Sequence, residues 1–518
     1  MPHGRYLCYL SIWAFIAVPA LWPTAAPADP VTPERVAAAL PKLEALAEAT
    51  VADGGVPGLA IAVVHDDKVI FLKGFGHREA GKPETVDADT VFQIASLSKP
   101  VSSTIVAALV SDGVVSWDSK IADLDPAFRL ADPYPTSQLT LRDLFSHRSG
   151  LPGTAGDDLE DIGYGRATIL DRLCFVPPSS SFRAGYSYSN FGLTEGAVAA
   201  AMPTGKSWEE VAEEKLYRPL GMASTSSRHA DFVKHADRAA LHVRVDGAWA
   251  AKIKRDPDAQ APAGGVSSTA RDLSQWVRLV LASGAYAGKT LIAAEALDQT
   301  HVPLMTRGKN PVSGGESFYG LGWNVEFGRH GLSWGHAGAF SVGARTVVTL
   351  FPKEKLGIVI LTNAFPTGVP EGLSDSFADL VFDGSVERDW IKAWDGIYNG
   401  MFGPVVEAAK AAYARPPSPP RPAAPASAYA GHYANDFIGD AVISSAGDGL
   451  VLKLGPDGAK SYSLTHFDGD LFLTYPDAET PDRPTGVSFV IGADGKASAI
   501  TIDFLDDNHL GTLRRVGD

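Results

Sequence analysis

Six of the twelve residues from Arg415 to Ala426 are proline, and no other feature of this 518-residue chain restricts its fold so strongly. A fixed φ and a missing N–H at every second position exclude helix and interior strand, leaving an extended, semi-rigid connection. The chain therefore divides into a long unit before this stretch and a short one after it. Its length agrees, since 518 residues exceed what one hydrophobic core supports. Hydrophobic residues at 45% and charged residues at 20% are ordinary for a globular protein and argue against a disordered or collagen-like chain.

Before the divide, Val36, Ala39, Leu40, Leu43, Leu46 and Ala47 recur at helical spacing, which predicts an amphipathic helix over 32–52. Leu59–Val64 and Val69–Phe75 are β-rich runs around His65-Asp66-Asp67-Lys68, the pattern of a hairpin. Helical spacing returns from Ser96 to Val110, with Gly113 as its stop. Residues 133–264 carry helix and loop signals. Strand signals resume at Gly320–Glu326, Leu332–Trp334, Ala344–Leu350 and Leu356–Leu361, and short connections such as Pro352–Lys355 imply antiparallel pairing. The expected fold is α+β: an antiparallel sheet flanked by helices, with a helical subdomain inserted.

After the divide, six short runs (Ala441–Ser444, Leu450–Leu454, Tyr462–Leu464, Leu471–Tyr475, Val487–Ile491, Ala499–Phe504) alternate with Gly, Asp and Asn turns. They predict a small all-β domain of barrel type. The expected domains are an export signal at 1–28, a catalytic unit at 29–412, a linker at 413–428 and the β domain at 429–518.

The signal is expected because Arg5 precedes an apolar run from Tyr6 to Trp22 and Ala26-Pro27-Ala28 closes it. Cleavage would leave no membrane anchor and place the protein in the periplasm or outside the cell. Cys174 would be its only thiol, so no intrachain disulfide forms. A net charge of −15 without any basic block excludes nucleic acid as an expected partner. The expected partner is a small-molecule or short-peptide substrate.

Three short motifs carry chemistry. Ser96-Leu97-Ser98-Lys99 is the only Ser-x-x-Lys in the chain, and its spacing puts both side chains on one helix face. A partly buried lysine with lowered pKa can take the proton of a serine nucleophile. Tyr188-Ser189-Asn190 supplies a phenol, whose pKa is predicted to fall beside a cation, and an amide that can hold Lys99 and a substrate carbonyl together. The same pattern recurs at Tyr433-Ala434-Asn435, where it is read as structural. His336-Ala337-Gly338-Ala339 opens a β-rich run with small residues against which a substrate backbone can lie. The N–H groups of Ala339 and Ser96 would form an oxyanion hole.

Together with Leu144-Phe145-Ser146-His147-Arg148-Ser149-Gly150-Leu151-Pro152, these motifs resemble the β-lactamase-like serine hydrolases, which include class C β-lactamases, penicillin-binding D-peptidases, D-aminopeptidases and related esterases. Gly264-Gly265, with the capped helix after it, resembles the same family, and the C-terminal domain resembles its lipocalin-like appendix. The resemblance implies Ser96 as nucleophile, Lys99 and Tyr188 as its activators, and Asn190, His336, Gly338 and Ala339 as substrate-binding residues. It also implies no cofactor. In β-lactamases and D,D-peptidases the third motif usually reads Lys-Thr-Gly, whose cation and hydroxyl help bind a carboxylate. Here His336 and Ala337 stand in those places, which directs the expectation to a peptidase, D-aminopeptidase or esterase. β-Lactamase or D,D-carboxypeptidase action, and a sensor acylated without turnover, are the alternatives. His147 is read as shaping the site.

Gly331-Leu332-Ser333-Trp334-Gly335 offers Ser333 as a rival nucleophile, but that elbow requires a helix immediately after it, where strand signals stand. Scattered histidines without His-Glu-x-x-His or paired cysteines give no metal site.

Overall fold

Thr32 accepts a hydrogen bond from the N–H of Arg35 and so caps the first helix, α1 (Pro33–Ala52), which has proline where no N–H is needed. The hairpin follows as β1 (Gly58–His65) and β2 (Lys68–Gly76), with Asp66 and Asp67 both at positive φ, as its two-residue turn demands. This computed structural model describes residues 31–447, 449–476 and 483–517. The expected signal at 1–28 lies outside the described residues.

A 3₁₀ turn (Ala95–Leu97) leads into α2 (Ser98–Ser111). The helical region contributes α3 (Leu141–Phe145), α4 (Asp157–Asp161) and α5 (Asn190–Ala201), and α6 (Ala270–Leu281) returns the chain to the sheet. Six strands follow: β3 (Met305–Lys309), β4 (Glu316–Tyr319), β5 (Asn324–Gly328), β6 (Gly331–Phe340), β7 (Ala344–Phe351) and β8 (Leu356–Thr362). Two helices, α7 (Val369–Phe382) and α8 (Trp390–Ala412), complete this unit.

The eight strands form one antiparallel sheet in the order β2-β1-β8-β7-β6-β5-β4-β3. Alternation along β1 sends Leu59, Ile61 and Val63 toward α1 and α7, while Ala60, Ala62 and Val64 join α2 and α6. Burial of both faces explains why β1 reads as one unbroken apolar run. Of the strand expected at Gly320–Glu326, Asn324–Glu326 lie on β5, while Gly320–Trp323 form the turn between β4 and β5. Gly322 adopts a φ of +79° there, and a Cβ on it would lie 2.9 Å from the Lys99 carbonyl, so the chain must turn against α2.

The C-terminal domain is a closed antiparallel barrel of eight strands. They are β9 (Gly431–Asn435), β10 (Gly439–Ala446), β11 (Gly449–Leu454), β12 (Lys460–Asp468), β13 (Leu471–Thr474), β14 (Thr485–Ile491), β15 (Ala497–Ile502) and β16 (Thr512–Gly517). The six expected runs match β10 to β15, and the two strands the pattern did not show, β9 and β16, pair with each other to close the barrel. Tyr433, Leu452, Leu454, Val487, Ile500 and Leu513 are buried within it, as the narrow bore of eight strands allows. In Tyr433-Ala434-Asn435 the phenol donates to the Tyr429 carbonyl and the amide to the carbonyls of Leu510 and Thr512. That repeat of the motif is structural.

The barrel's apolar core is continuous with that of the first unit. Arg172 donates to the carbonyls of Phe437 and Ile438, both at 3.0 Å, and Asn508 donates to the Thr154 hydroxyl.

Candidate active site

Ser96 lies on the 3₁₀ turn just ahead of α2 rather than on the helix itself. The turn is entered through Ala95 at a φ of +48°, a conformation that costs an L-residue free energy and must be held by its surroundings. The sheet holds it. Thr346 donates to the Ile94 carbonyl at 2.8 Å, and a Cβ on Gly338 would fall 2.2 Å from that same oxygen and 2.9 Å from the Leu97 nitrogen. Gly338 is therefore glycine because β6 and the Ser96 turn touch backbone to backbone.

Lys99 follows on the first turn of α2 and is fully buried. Its Nζ lies 3.1 Å from Ser96 Oγ, 2.7 Å from Asn190 Oδ1 and 2.9 Å from the Ala263 carbonyl. A free amine matches these partners: two hydrogens serve the amide and the carbonyl, and the lone pair faces the Ser96 hydroxyl. Burial pushes the Lys99 ammonium down to about 7, against the opposing pull of Asp157. The Ala263 carbonyl is presented by the Gly264-Gly265 turn, where a Cβ on Gly265 would strike Ala261 Cα at 2.6 Å. Thr269 then caps α6.

Asn190 begins α5, whose cap is Ser189. The lysine fixes which end of its amide is oxygen, and its Nδ2 then donates to both carboxylate oxygens of Asp157 at 3.2 Å each. Tyr188 bonds the Ser96 side chain. Its ring lies under Lys99 Nζ, 4.5 Å from the centroid, and packs against His147, Tyr319 and His336. The expected fall in its pKa does not occur. Withdrawal from water raises it well above the ordinary phenol value. Tyr188 is a neutral O–H donor.

His147 holds this arrangement from behind. Its Nδ1 accepts from the N–H of Ser189 at 3.1 Å and its carbonyl accepts from Ser187, so one residue grips both sides of Tyr188. Burial, then the charge of Lys99, keeps the imidazole well below its usual pKa. Asp143 closes the loop by accepting from Arg148 and Arg183.

His336 is buried on β6. Its Nδ1–H donates to the Ala337 carbonyl at 2.7 Å, and its Nε2 accepts from the Tyr319 hydroxyl at 3.0 Å. Burial, with Lys99 nearby, pushes it down to about 3, so the ring is neutral. β5 stops pairing at Gly335, which leaves His336–Phe340 paired with β7 alone. That stretch, with Gly338 and Ala339, presents a free strand edge beside Ser96.

Ser96, Tyr188 and Asn190 thus converge on Lys99, and Gly338 abuts the turn that carries Ser96. Ser333 lies inside β6 opposite Glu326, and a strand rather than a helix continues from it. Asp157, Tyr319 and Arg307 carry no sequence signal. Arg307, on β3, donates to Asn324 Oδ1 at 2.7 Å and lies 5.8 Å from the Tyr186 ring centroid, its charge acting on Tyr186, Tyr188, Tyr319 and His336. Among the described residues one group has donor spacing for a cation, His330, Asp379 and Asp383. The Arg329 guanidinium already bonds both of its carboxylates.

The sheet, the helical region and the serine–lysine pair define a protein of the β-lactamase and penicillin-binding type. The chain belongs to the Beta-lactamase family, whose sequence model matches residues 43–381. A domain of unknown function (DUF3471) matches residues 415–512. Unguisins hydrolase ungD of Aspergillus violaceofuscus is 26% identical over 524 residues, covering 89% of this chain and 88% of that protein. The D-alanyl-D-alanine-carboxypeptidase/endopeptidase AmpH of Escherichia coli K12 is 26% identical, covering 63% of this chain and 84% of its own. An octameric penicillin-binding protein homologue from Pyrococcus abyssi shares the fold with a TM-score of 0.55 at 18% identity, covering 92% of this chain and 99% of that one. Members of the family are serine hydrolases.

Proposed function

We propose that this protein is an exported serine hydrolase that cleaves an amide or ester bond through an acyl-enzyme on Ser96. The observation that carries the reading is the buried Lys99 amine 3.1 Å from Ser96 Oγ. Lys99 in its free-amine form takes the Ser96 proton as Oγ attacks the substrate carbonyl. The oxyanion is received by the N–H groups of Ser96 and Ala339. Tyr188, a neutral phenol bonded to the Ser96 side chain, gives its proton to the leaving amine or alcohol and regains one from the Lys99 ammonium. Asn190 orients Lys99 and the substrate, and the His336–Ala339 edge aligns the substrate chain. Water then attacks the ester on Ser96 with the same groups in reverse.

A neutral His336 in place of a third-motif lysine supports a peptidase, D-aminopeptidase or esterase-like substrate range. The name of the AmpH relative supports the peptidase branch. One observation favours a second reading, D,D-carboxypeptidase action: the Arg307 guanidinium stands near Tyr186 at the same cluster and can meet a substrate carboxylate. The N-terminal signal pattern supports export to the periplasm or medium.

Separate Ser96→Ala and Ser333→Ala variants assayed on a chromogenic ester and a panel of D- and L-amino acid amides test the proposal. Loss of turnover in Ser96→Ala alone supports it, and activity surviving that change overturns it.

A further inference from the structure

Asn190 is held at both ends of its amide: its oxygen accepts from Lys99 Nζ at 2.7 Å and its nitrogen donates to the Asp157 carboxylate, 3.2 Å from each oxygen. The lysine cannot by itself set the amide's rotation, because a single bond at one end leaves the plane free to swing. The carboxylate at the other end fixes it. We propose that Asp157 is a positioning residue of the hydrolytic site, holding the Asn190 amide so that its oxygen faces the Lys99 amine. The inference rests on the proposed role of Ser96 and Lys99.

Asp157 is itself held in place. It follows Gly156, whose φ is +89° and whose Cβ would run into Ile169 and Phe191, so the chain enters α4 in one tightly packed conformation. On either side of it the barrel takes hold: Asn508 bonds Thr154, and a Cβ on Gly455 would lie 2.0 Å from the Ile162 carbonyl. Segment 154–162 is thereby pinned between the barrel and the start of α5, which carries Asn190.

Several charges face the two groups. Around Asp157 stand Asp158, Glu160, Arg255 and Lys99, and Asp507 of the barrel acts on Asp158. Around Lys99 stand Asp157, His147 and His336, with the Tyr188 ring beneath it. Both histidines are held neutral by burial. Burial, then the charge of Glu160, pushes the Asp157 carboxyl up to about 7, so it titrates together with Lys99 and favours the ammonium only where it is ionised. Loss of that charge lets the amine deprotonate at lower pH.

The test uses the full chain with Asp157→Ala, Asp157→Asn and Ser96→Ala, measuring kcat, KM and the pH profile on a neutral p-nitrophenyl ester. In Asp157→Ala kcat falls on the order of 10–100-fold with KM changed less than about twofold, because an amide free to rotate misplaces the base. Asp157→Asn still accepts a hydrogen from Asn190 and regains most of kcat, while its acid limb moves to lower pH. A merely structural role would lower the active fraction and leave that limb in place. Variants with wild-type kcat and an unmoved limb, alongside an inactive Ser96→Ala, overturn the inference. An active Ser96→Ala would instead overturn the underlying reading.

Discussion

Tyr319 donates its phenolic hydrogen to Nε2 of His336 across 3.0 Å, while the opposite ring nitrogen bonds the Ala337 carbonyl. The two contacts fix one neutral tautomer at the place where related enzymes carry a cation, and they tie β4 to the free half of β6. Tyr319→Phe leaves a buried nitrogen without its donor, at a cost of about 1–3 kcal/mol. The expected result is a lower melting temperature and a raised KM. A melting curve and Michaelis kinetics measured together check it.

The pH profile follows from Lys99. Its folded pKa is lowered to about 7, so the free amine that serves as base is present above that pH and is lost as pH falls through it. Activity on a neutral ester therefore rises along an acid limb near 7. His336 adds no step between pH 5 and 8, since burial holds it down to about 3. Lys99→Arg places a guanidinium that does not deprotonate and removes general-base catalysis, a loss of roughly 10²–10⁴-fold in rate. Steady-state rates from pH 5 to 9 test both statements.

Gly338→Ala puts a methyl group 2.2 Å from the Ile94 carbonyl and 2.5 Å from Thr346 Oγ1. Neither atom belongs to a flexible chain end, so β6 must move off the Ser96 turn. We expect about 1–3 kcal/mol of lost stability and an acylation rate that falls further than stability alone explains. Urea unfolding and a fluorophosphonate labelling rate separate the two effects.

Arg307→Ala tests the second substrate reading. A guanidinium bonded to a carboxylate contributes about 1.5–3 kcal/mol, so KM for substrates bearing a carboxylate rises roughly 10–100-fold while neutral esters are unaffected. Equal changes on both substrate classes would assign Arg307 to packing against Tyr186.

Arg172→Ala removes two hydrogen bonds to barrel carbonyls and a guanidinium stacked 4.2 Å from the Tyr164 ring. Because one apolar core runs through both units, the expected outcome is uncoupling: a single unfolding transition splits into two. Calorimetry reads this directly.

The sequence made the serine, the lysine, the tyrosine–asparagine pair and the His-x-Gly strand legible because each is a short pattern with a fixed spacing. The hairpin was legible for a similar reason, since its Asp66-Asp67 turn interrupts two apolar runs. Asp157 was not, because it sits among other acids in a segment without periodicity and meets Asn190 only through the tertiary fold. Tyr319 and Arg307 arrive on strands that the pattern merged or passed over. The expected strand at Gly320–Glu326 hid a turn that only the packing of Gly322 on α2 requires. In the barrel, β9 and β16 lack β-branched runs and depend on each other for pairing. The Tyr188 shift runs opposite to the expectation since spacing places a cation near the phenol without saying how deeply the fold buries it.

The central claim is that the buried amine of Lys99 turns Ser96 into the nucleophile. Intact-mass measurement of the full chain quenched during turnover of a slow ester, followed by peptide mapping, tests it most directly. The account predicts one acyl group on the peptide containing Ser96, absent in Ser96→Ala and formed far more slowly in Lys99→Arg. An acyl group on Ser333, or steady turnover by Ser96→Ala, would contradict it.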